Sequence, residues 1–260
     1  SKIGGIRKRK RIIAGISAIL FGVFLCIDFA LWLTLRSGMF FIQSVEYKGN
    51  QEVTNGQIKD ILWSQMFTGA EWKHILGERN ILAWTNELKG DQLRLLPGVK
   101  HITIEKHFFA RRVVVTVEER KPIGIWCWKS GEEKCAWFDE EGVAIKRAFG
   151  GEGQLIFLVN DYSSTAASLG SSVIKNDWFL VLQSALRALR EAGLVAREVR
   201  VDDARTEEFL VKTYEGPRIY LSFGFPLGDI RPAIERIRSE RELTKIDYID
   251  FRVRDKIYYK

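Results

Sequence analysis

The chain has 260 residues, of which 46% are hydrophobic and 28% charged, values close to the average for globular proteins. Its formal net charge is +7, but six of the 40 Lys and Arg residues precede residue 12, and the remainder of the chain is nearly balanced. A nucleic-acid-binding protein needs clustered basic residues on its folded part. The charge distribution therefore argues against nucleic acid as a partner.

An apolar segment runs from Ile12 to Leu35 and carries one charged residue, Asp28. As a helix, its 24 residues measure about 36 Å, enough to cross a hydrocarbon core of about 30 Å. The pattern predicts a transmembrane helix over residues 12–35 behind a basic tail, residues 1–11. The positive-inside rule keeps this tail in the cytoplasm and sends the C-terminal part across the membrane. The residues that set this orientation are Arg7, Lys8, Arg9, Lys10 and Arg11.

The apolar segment is expected to remain as an anchor. It is longer than a signal-peptide core of about 7–15 residues, and no small-x-small cleavage site follows it. Asp28 within it has two interpretations. Water at the outer interface reaches its carboxylate, or the carboxylate contacts a second transmembrane helix.

Residues 40–120 follow a pattern of strands and helices. Thr54 and Gln57 form the capping box of a helix N-terminus, and Pro97 ends a second helical stretch. Together these signals predict an α+β domain with helices on one face of a three-stranded sheet. The tip of its hairpin is basic and is either a solvated turn or a contact with lipid or an acidic partner. The predicted elements are a strand at 40–47, helices at 54–66 and 85–96, and strands at 99–107 and 111–119.

Pro122 ends the last of these strands and marks a domain boundary. The sequence pattern of residues 121–260 predicts a mixed, β-rich domain with two helices. The whole exported part is therefore expected to be α+β. Its predicted strands lie at 123–129, 135–139, 143–146, 155–159, 197–201, 209–214, 218–223, 247–253 and 256–259, and its helices at 176–193 and 229–240.

Two cysteines of this domain, Cys127 and Cys135, flank a turn around Gly131. A hairpin folded about that glycine places the two cysteines opposite each other. They are then either a disulfide, which persists in an exported protein, or a pair of free thiols.

No sequence pattern for catalysis or metal binding is complete. The Gly-x-Ser-x-Gly, P-loop and His-Glu-x-x-His motifs are absent from the sequence. Ser172 and Lys175 match the Ser-x-x-Lys motif of penicillin-binding enzymes, but the predicted helix begins after them and the partner motifs are missing. His101 and His107 lie about 20 Å apart along one predicted strand. We therefore expect neither an enzyme nor a metal site, and no cofactor.

Four short segments, in this order behind a basic tail and one apolar span, carry a resemblance to a known family. The chain resembles the bacterial cell-division family FtsQ/DivIB, in which a POTRA domain precedes a β domain. On this resemblance, residues 40–120 are the POTRA domain and residues 121–260 are the FtsQ-type β domain. The long connection at 67–80 and the two arginines at 111–112 depart from the family pattern. The four segments are Val45–Asn50, Leu96–Val99, Glu119–Pro122 and Ile246–Arg252, the last with Lys256–Tyr258 after it.

The resemblance implies a non-enzymatic scaffold in the bacterial inner membrane at the division septum. Such a scaffold binds the bitopic division proteins FtsB and FtsL and links early and late division proteins for septal peptidoglycan synthesis. Other divisome contacts are expected through the POTRA domain and the transmembrane helix. The alternative is a POTRA-type module of polypeptide export or periplasmic chaperoning, which usually carries repeated units before a membrane β-barrel.

The segment Lys256–Lys260 is the candidate partner-binding site. It is expected to pair with the preceding strand on one side only, so that its free edge can accept a strand from another protein. The lysines at its two ends favour an acidic partner, and in the resembling family the closing strand is where FtsB docks. Alternatively, the segment only completes the sheet and the lysines protect its edge. The residues expected to contact the partner are Ile257, Tyr258 and Tyr259.

Overall fold

The structure, a computed structural model, describes residues 2–35, 38–66, 71–130, 133–149, 157–203, 205–254 and 256–260. Side chains are described from residue 15 onward, except at positions 66, 71, 72 and 89. Within these residues the fold is α+β, with one apolar N-terminal helix and a large mixed sheet. Two compact units divide the chain, one comprising residues 1–89 and 101–118 and the other residues 90–100 and 119–260.

Helix α1 spans Lys2–Leu35 and therefore begins within the basic tail rather than at the predicted start of the span. Its apolar part, Gly15–Leu35, has a mean hydropathy of 2.3 and is long enough to cross a membrane. None of that part is buried by the rest of the protein. A lipid environment is consistent with so apolar and so exposed a helix.

The first unit contains a four-stranded sheet and two short helices. Strand β1 is parallel to β4, and β2 is antiparallel to β3, in the order β1-β4-β3-β2. The capping box is confirmed, because the N–H of Thr54 donates to Oε1 of Gln57 at 3.0 Å and the N–H of Gln57 donates to Oγ1 of Thr54 at 3.3 Å. The elements are β1 (Ser44–Lys48), α2 (Asn55–Met66), α3 (Glu71–Leu76), β2 (Glu87–Lys89), β3 (Val99–His107) and β4 (Arg112–Glu119).

The prediction of a helix at 85–96 is wrong. This stretch instead forms β2 and a 3-10 turn at Gly90–Leu93. Gly90 has φ +60°, a left-handed conformation that ends regular structure, and Leu88 is buried opposite Ile102 of β3. Pairing with β3 outweighs the local helical pattern, and the sheet gains a fourth strand.

The second unit is built on a nine-stranded mixed sheet in the order β13-β12-β11-β10-β9-β8-β5-β6-β7. Strand pairs β5–β8, β8–β9 and β11–β12 are parallel, and the others are antiparallel. The elements are β5 (Pro122–Trp128), β6 (Lys134–Asp139), β7 (Ala144–Ala148), β8 (Phe157–Asp161), α4 (Asn176–Glu191), β9 (Ala196–Val201), β10 (Glu208–Thr213), β11 (Arg218–Ser222), α5 (Arg231–Glu240), β12 (Tyr248–Asp250) and β13 (Tyr258–Tyr259).

Both helices contribute to one buried cluster with inward-facing residues of the sheet. Leu182 of α4 and Ile234 of α5 belong to it together with Ile219 and Ile249 of the strands β11 and β12. Because neighbouring residues of a strand point to opposite faces, this cluster defines a helix-covered face and a helix-free face of these strands. The segment Gly90–Lys100, which the sequence assigned to the first domain, belongs to this second unit.

Candidate protein-binding site at the C-terminal strand

Strand β13 is at the end of the nine-stranded sheet and pairs only with β12 among the described strands. The pairing is antiparallel, with Tyr259 opposite Ile249 and Tyr258 opposite Asp250. The chain returns to this strand through a turn in which the N–H of Lys256 donates to the carbonyl of Val253 at 3.2 Å. Among the described residues no strand pairs with the other edge of β13, so this edge can accept a further strand.

The main-chain groups of Tyr259 face this open edge. Both main-chain groups of Lys260 bond to the strand β12 or the residue before it. The Lys260 N–H donates to the Tyr248 carbonyl at 3.2 Å, and the Lys260 carbonyl accepts from the Asp247 N–H at 2.7 Å. Successive residues of a strand direct these groups to opposite sides, so Tyr259 directs its N–H and C=O outward. The strand predicted at 256–259 is shorter in the structure, where β13 spans only Tyr258–Tyr259 and Ile257 directly precedes it.

On the helix-covered face, the strand borders an open groove of about 470 Å³. Ile257 lines this groove beside Phe251, and Ala233 contributes from α5. The charged groups at its margin include Arg254 and Lys256, both of which are exposed. The groove can accept an apolar side chain from a segment lying along β13.

Tyr259 also contacts α5. Its hydroxyl donates to Oε2 of Glu240 at the end of that helix. This hydrogen bond lowers the pKa of the Glu240 carboxyl and raises the pKa of the Tyr259 hydroxyl. The contact holds the tip of β13 against α5, although Tyr259 remains 37% exposed.

The helix-free face presents three tyrosines near the same edge. Tyr220 of β11 lies opposite Asp250 of β12, and Asp250 lies opposite Tyr258 of β13. The side chains of Tyr220, Asp250 and Tyr258 therefore point to the same face. Tyr248, two residues before Asp250, joins them, and its ring meets that of Tyr220 perpendicularly at 5.9 Å. Tyr258 is 50% exposed and is therefore free to contact a partner.

Arg252 stabilises this tyrosine face. Its guanidinium lies 4.9 Å from the ring centre of Tyr220 and hydrogen-bonds to Asp250 and, at 2.8 Å, to Glu208. These hydrogen bonds lower the pKa of Asp250 and raise that of Arg252. Sequence reasoning missed Tyr220 and Tyr248, because only the register of three strands brings them beside Tyr258.

The opposite end of the same sheet differs in character. Strand β7 carries Lys146 and Arg147, charged residues that discourage the addition of another strand. Its first residue, Ala144, is already bonded to the chain at Gly170 and Ser171. The β13 edge is the better candidate for strand addition because it presents tyrosines and an adjoining apolar groove.

Cys127 and Cys135 are joined by a disulfide across β5 and β6, with their Cα atoms 4.1 Å apart. Both cysteines are buried beside Ile125 and Ala148, in a small apolar cluster on the helix-free side of these strands. Glu133 places a carboxylate oxygen 3.7 Å from Sγ of Cys135. The pairing of the sulfurs leaves no thiolate there for a metal.

Ser172 and Lys175, considered above for catalysis, contact different residues. Ser172 donates to Oδ1 of Asn176 at 2.9 Å, while the ammonium of Lys175 lies over the ring of Trp178 at 4.5 Å. Both precede α4 instead of occupying one of its turns.

The two strand histidines have separate carboxylate neighbours. His101 is 3.4 Å from Glu87, and His107 is 3.8 Å from Glu105. The side chains of the orientation residues at 7–11 lie outside the part of the chain that the structure describes, as does Asp255 of the predicted C-terminal turn.

Comparison of the chain with protein-family models finds no match, and comparison with curated proteins finds none either.

Proposed function

We propose that the chain is a single-pass scaffold of bacterial cell division, of the FtsQ/DivIB type, that captures an FtsB-like partner by strand addition at β13. The observation that carries the proposal is the open edge of β13, with outward main-chain groups at Tyr259 and exposed side chains on both faces. Support also comes from the apolar helix α1 followed by two α+β units. The order β1-α2-α3-β3-β4, with β2 at the sheet edge, supports the proposal that the first unit is a POTRA domain.

In this proposal an extended segment of the partner pairs with the outer edge of β13. Main-chain hydrogen bonds to Tyr259 supply affinity, and alternate side chains supply specificity. One set of partner side chains enters the groove beside Ile257, and the other set meets Tyr258 and the tyrosine face. Exposed Lys256 and Lys260, which lie on either side of residues 257–259, select an acidic segment.

The membrane topology completes the proposal. The basic residues before the span place the N-terminus in the cytoplasm, and both folded units lie on the far side at the septum. FtsL-type partners and other division proteins contact α1 and the first unit. The chain contributes no catalysis of its own and acts by holding division proteins together.

The test is capture of FtsB- and FtsL-type bitopic proteins by the full chain in detergent. Tyr259→Pro removes the outward N–H, and Tyr259→Ala is its matched control, because it loses the same hydroxyl contact but keeps the N–H. The loss of one ladder hydrogen bond predicts up to about tenfold weaker capture by Tyr259→Pro than by Tyr259→Ala. Melting temperatures of the two variants should agree within a few degrees.

Tyr258→Ala tests the side-chain anchor, and Tyr214→Ala is its control, since Tyr214 is a similarly exposed tyrosine away from β13. We expect weaker capture only for Tyr258→Ala. Normal binding by both Tyr259→Pro and Tyr258→Ala would contradict the proposal. So would a hydrogen-exchange footprint of the partner that maps only to residues 40–120, or recovery of β-barrel assembly factors in place of bitopic proteins.

A further inference from the structure

The end of α1 is attached directly to the first unit. Asn80 is completely buried. Its side-chain amide donates to the carbonyl of Thr34, in the last turn of the helix, at 2.7 Å. Asn80 also forms an antiparallel bridge with Phe41, and the Ile81 N–H donates to the Phe40 carbonyl at 2.8 Å. The chain leaving the helix is therefore held against the unit within a few residues of Leu35.

The tip of the β3–β4 hairpin, Phe108–Arg112, lies at the same end of the first unit. Because β1 and β4 are parallel, both strands begin at the end of the sheet where the chain arrives from α1. The Gln43 N–H donates to the Arg111 carbonyl at 2.7 Å, and the Arg111 guanidinium lies 3.5 Å from the Gly38 carbonyl. The hairpin tip is thus beside the residues that follow the apolar helix.

Aromatic and basic residues are exposed on this hairpin tip. Phe109 is completely exposed and Phe108 is 44% exposed, unusual positions for two adjacent phenylalanines in water. Arg112 is exposed, and its pairing with Glu46 at 3.5 Å is a surface contact that holds it weakly. Trp32 is 54% exposed one turn before the end of α1, where aromatic residues mark the membrane interface.

We propose that the hairpin tip docks on the surface of the bilayer that α1 crosses. Its two phenylalanines enter the headgroup region, and its two arginines bind anionic lipid headgroups. Apolar rings and cations at one membrane surface are the combination that interfacial segments use. The tip and the buried Asn80 contact then fix the orientation of the first unit on the membrane. The inference requires α1 to span the bilayer, but it does not depend on the partner of β13.

The experiment uses the full chain in vesicles, with Cys26→Ala to remove the free thiol of the span and Ala110→Cys to carry a fluorescent label. Ala110 is exposed at the tip, and labelling there leaves both phenylalanines in place. Leu31→Cys within the span and Lys48→Cys at the far end of β1 are the matched positions. Quenching by lipids with a nitroxide near the headgroup reports contact with the membrane.

We expect the label at 110 to be quenched several-fold more than the label at 48, and the label at 31, which neighbours Trp32 at the end of the span, to be quenched strongly as well. Replacing both phenylalanines of the tip by serine should remove most of the quenching at 110. Replacing both arginines by glutamine should lower the quenching at 110 in vesicles with phosphatidylglycerol to the value in neutral vesicles.

Equal quenching at 110 and 48, with strong quenching at 31, would overturn membrane docking of the tip while leaving the span intact. Quenching at 110 that is unchanged by the double serine variant would assign the contact to the label and overturn the proposal. Equal quenching of the unaltered tip in anionic and neutral vesicles would overturn the binding of anionic headgroups. Failure of strand capture at β13 would change none of these results.

Discussion

Glu141 lies between two cations of the second unit. Its carboxylate is 2.8 Å from the Lys100 ammonium and 2.8 Å from the Arg120 guanidinium. Hydrogen bonds from Lys100 and Arg120 lower the pKa of Glu141 below its ordinary value of 4.5. Arg120 also bonds Asp139, and Lys100 also reaches Glu140 at 3.4 Å. These charges attach the segment that contains Lys100 to the β6–β7 turn.

Because the pKa of Glu141 is lower in the folded than in the unfolded chain, its ionisation stabilises the fold above about pH 4.5. This contribution is lost as the pH falls through the folded-state pKa. Glu141→Gln should therefore melt at a lower temperature than the unaltered chain at pH 7, and the gap should close in acid. Glu140→Gln is the control and should cost less, since Glu140 is more exposed. A gap independent of pH would contradict this account.

Among the connecting elements, the turn after β1 depends on a glycine. Gly49 has φ +82°, and a Cβ at this position would lie 2.3 Å from the Val117 carbonyl oxygen in β4. Gly77, after α3, has a similar φ of +72° but open space around it. Comparing substitutions at the two positions therefore separates the effect of backbone strain from the effect of a steric clash.

Gly77→Ala should lower the free energy of unfolding by about 1–2 kcal/mol, the cost of placing a residue with a Cβ in the left-handed conformation. Gly49→Ala should cost considerably more, because the atom it meets is backbone that moves only if β1 and β4 separate. Melting temperatures in detergent should fall much further for Gly49→Ala, and amides of β1 should lose hydrogen-exchange protection. Equal losses for the two variants would show that the close approach to Val117 has no energetic weight.

For the whole molecule, Asp28 tests the role proposed for α1 in the membrane. A carboxylate inside a bilayer costs a few kcal/mol unless it is protonated, hydrated from the interface or paired with another helix. We expect Asp28→Leu to insert normally and to capture its partners as the unaltered chain does, because interfacial water accounts for the carboxylate. The measurement is membrane fractionation together with partner capture, with Ile27→Leu as the control. Normal insertion with lost capture would assign Asp28 to a helix–helix contact.

Local patterns were sufficient for much of the fold. The apolar helix, the capping box at Thr54 and the alternating strands at 99–107 and 112–119 each depend on residues close in sequence. The pairing of the C-terminal strand with the strand just before it in the chain was also predicted, and the antiparallel β12–β13 pair confirms it. Hydrophobic period, capping and turn chemistry act over a few residues, so the sequence alone reveals them.

Only the tertiary structure decided the rest. The stretch at 85–96 became a strand and a turn because β3 offered it a pairing edge, which outweighed its weak helical pattern. Strand register brought Tyr220 and Tyr248 beside Tyr258, and the chain path placed the hairpin tip next to the end of α1. The groove next to Ile257 is likewise assembled from two separate stretches of chain, residues 225–233 and 251–257. These features depend on contacts between residues far apart in sequence, which no local pattern encodes.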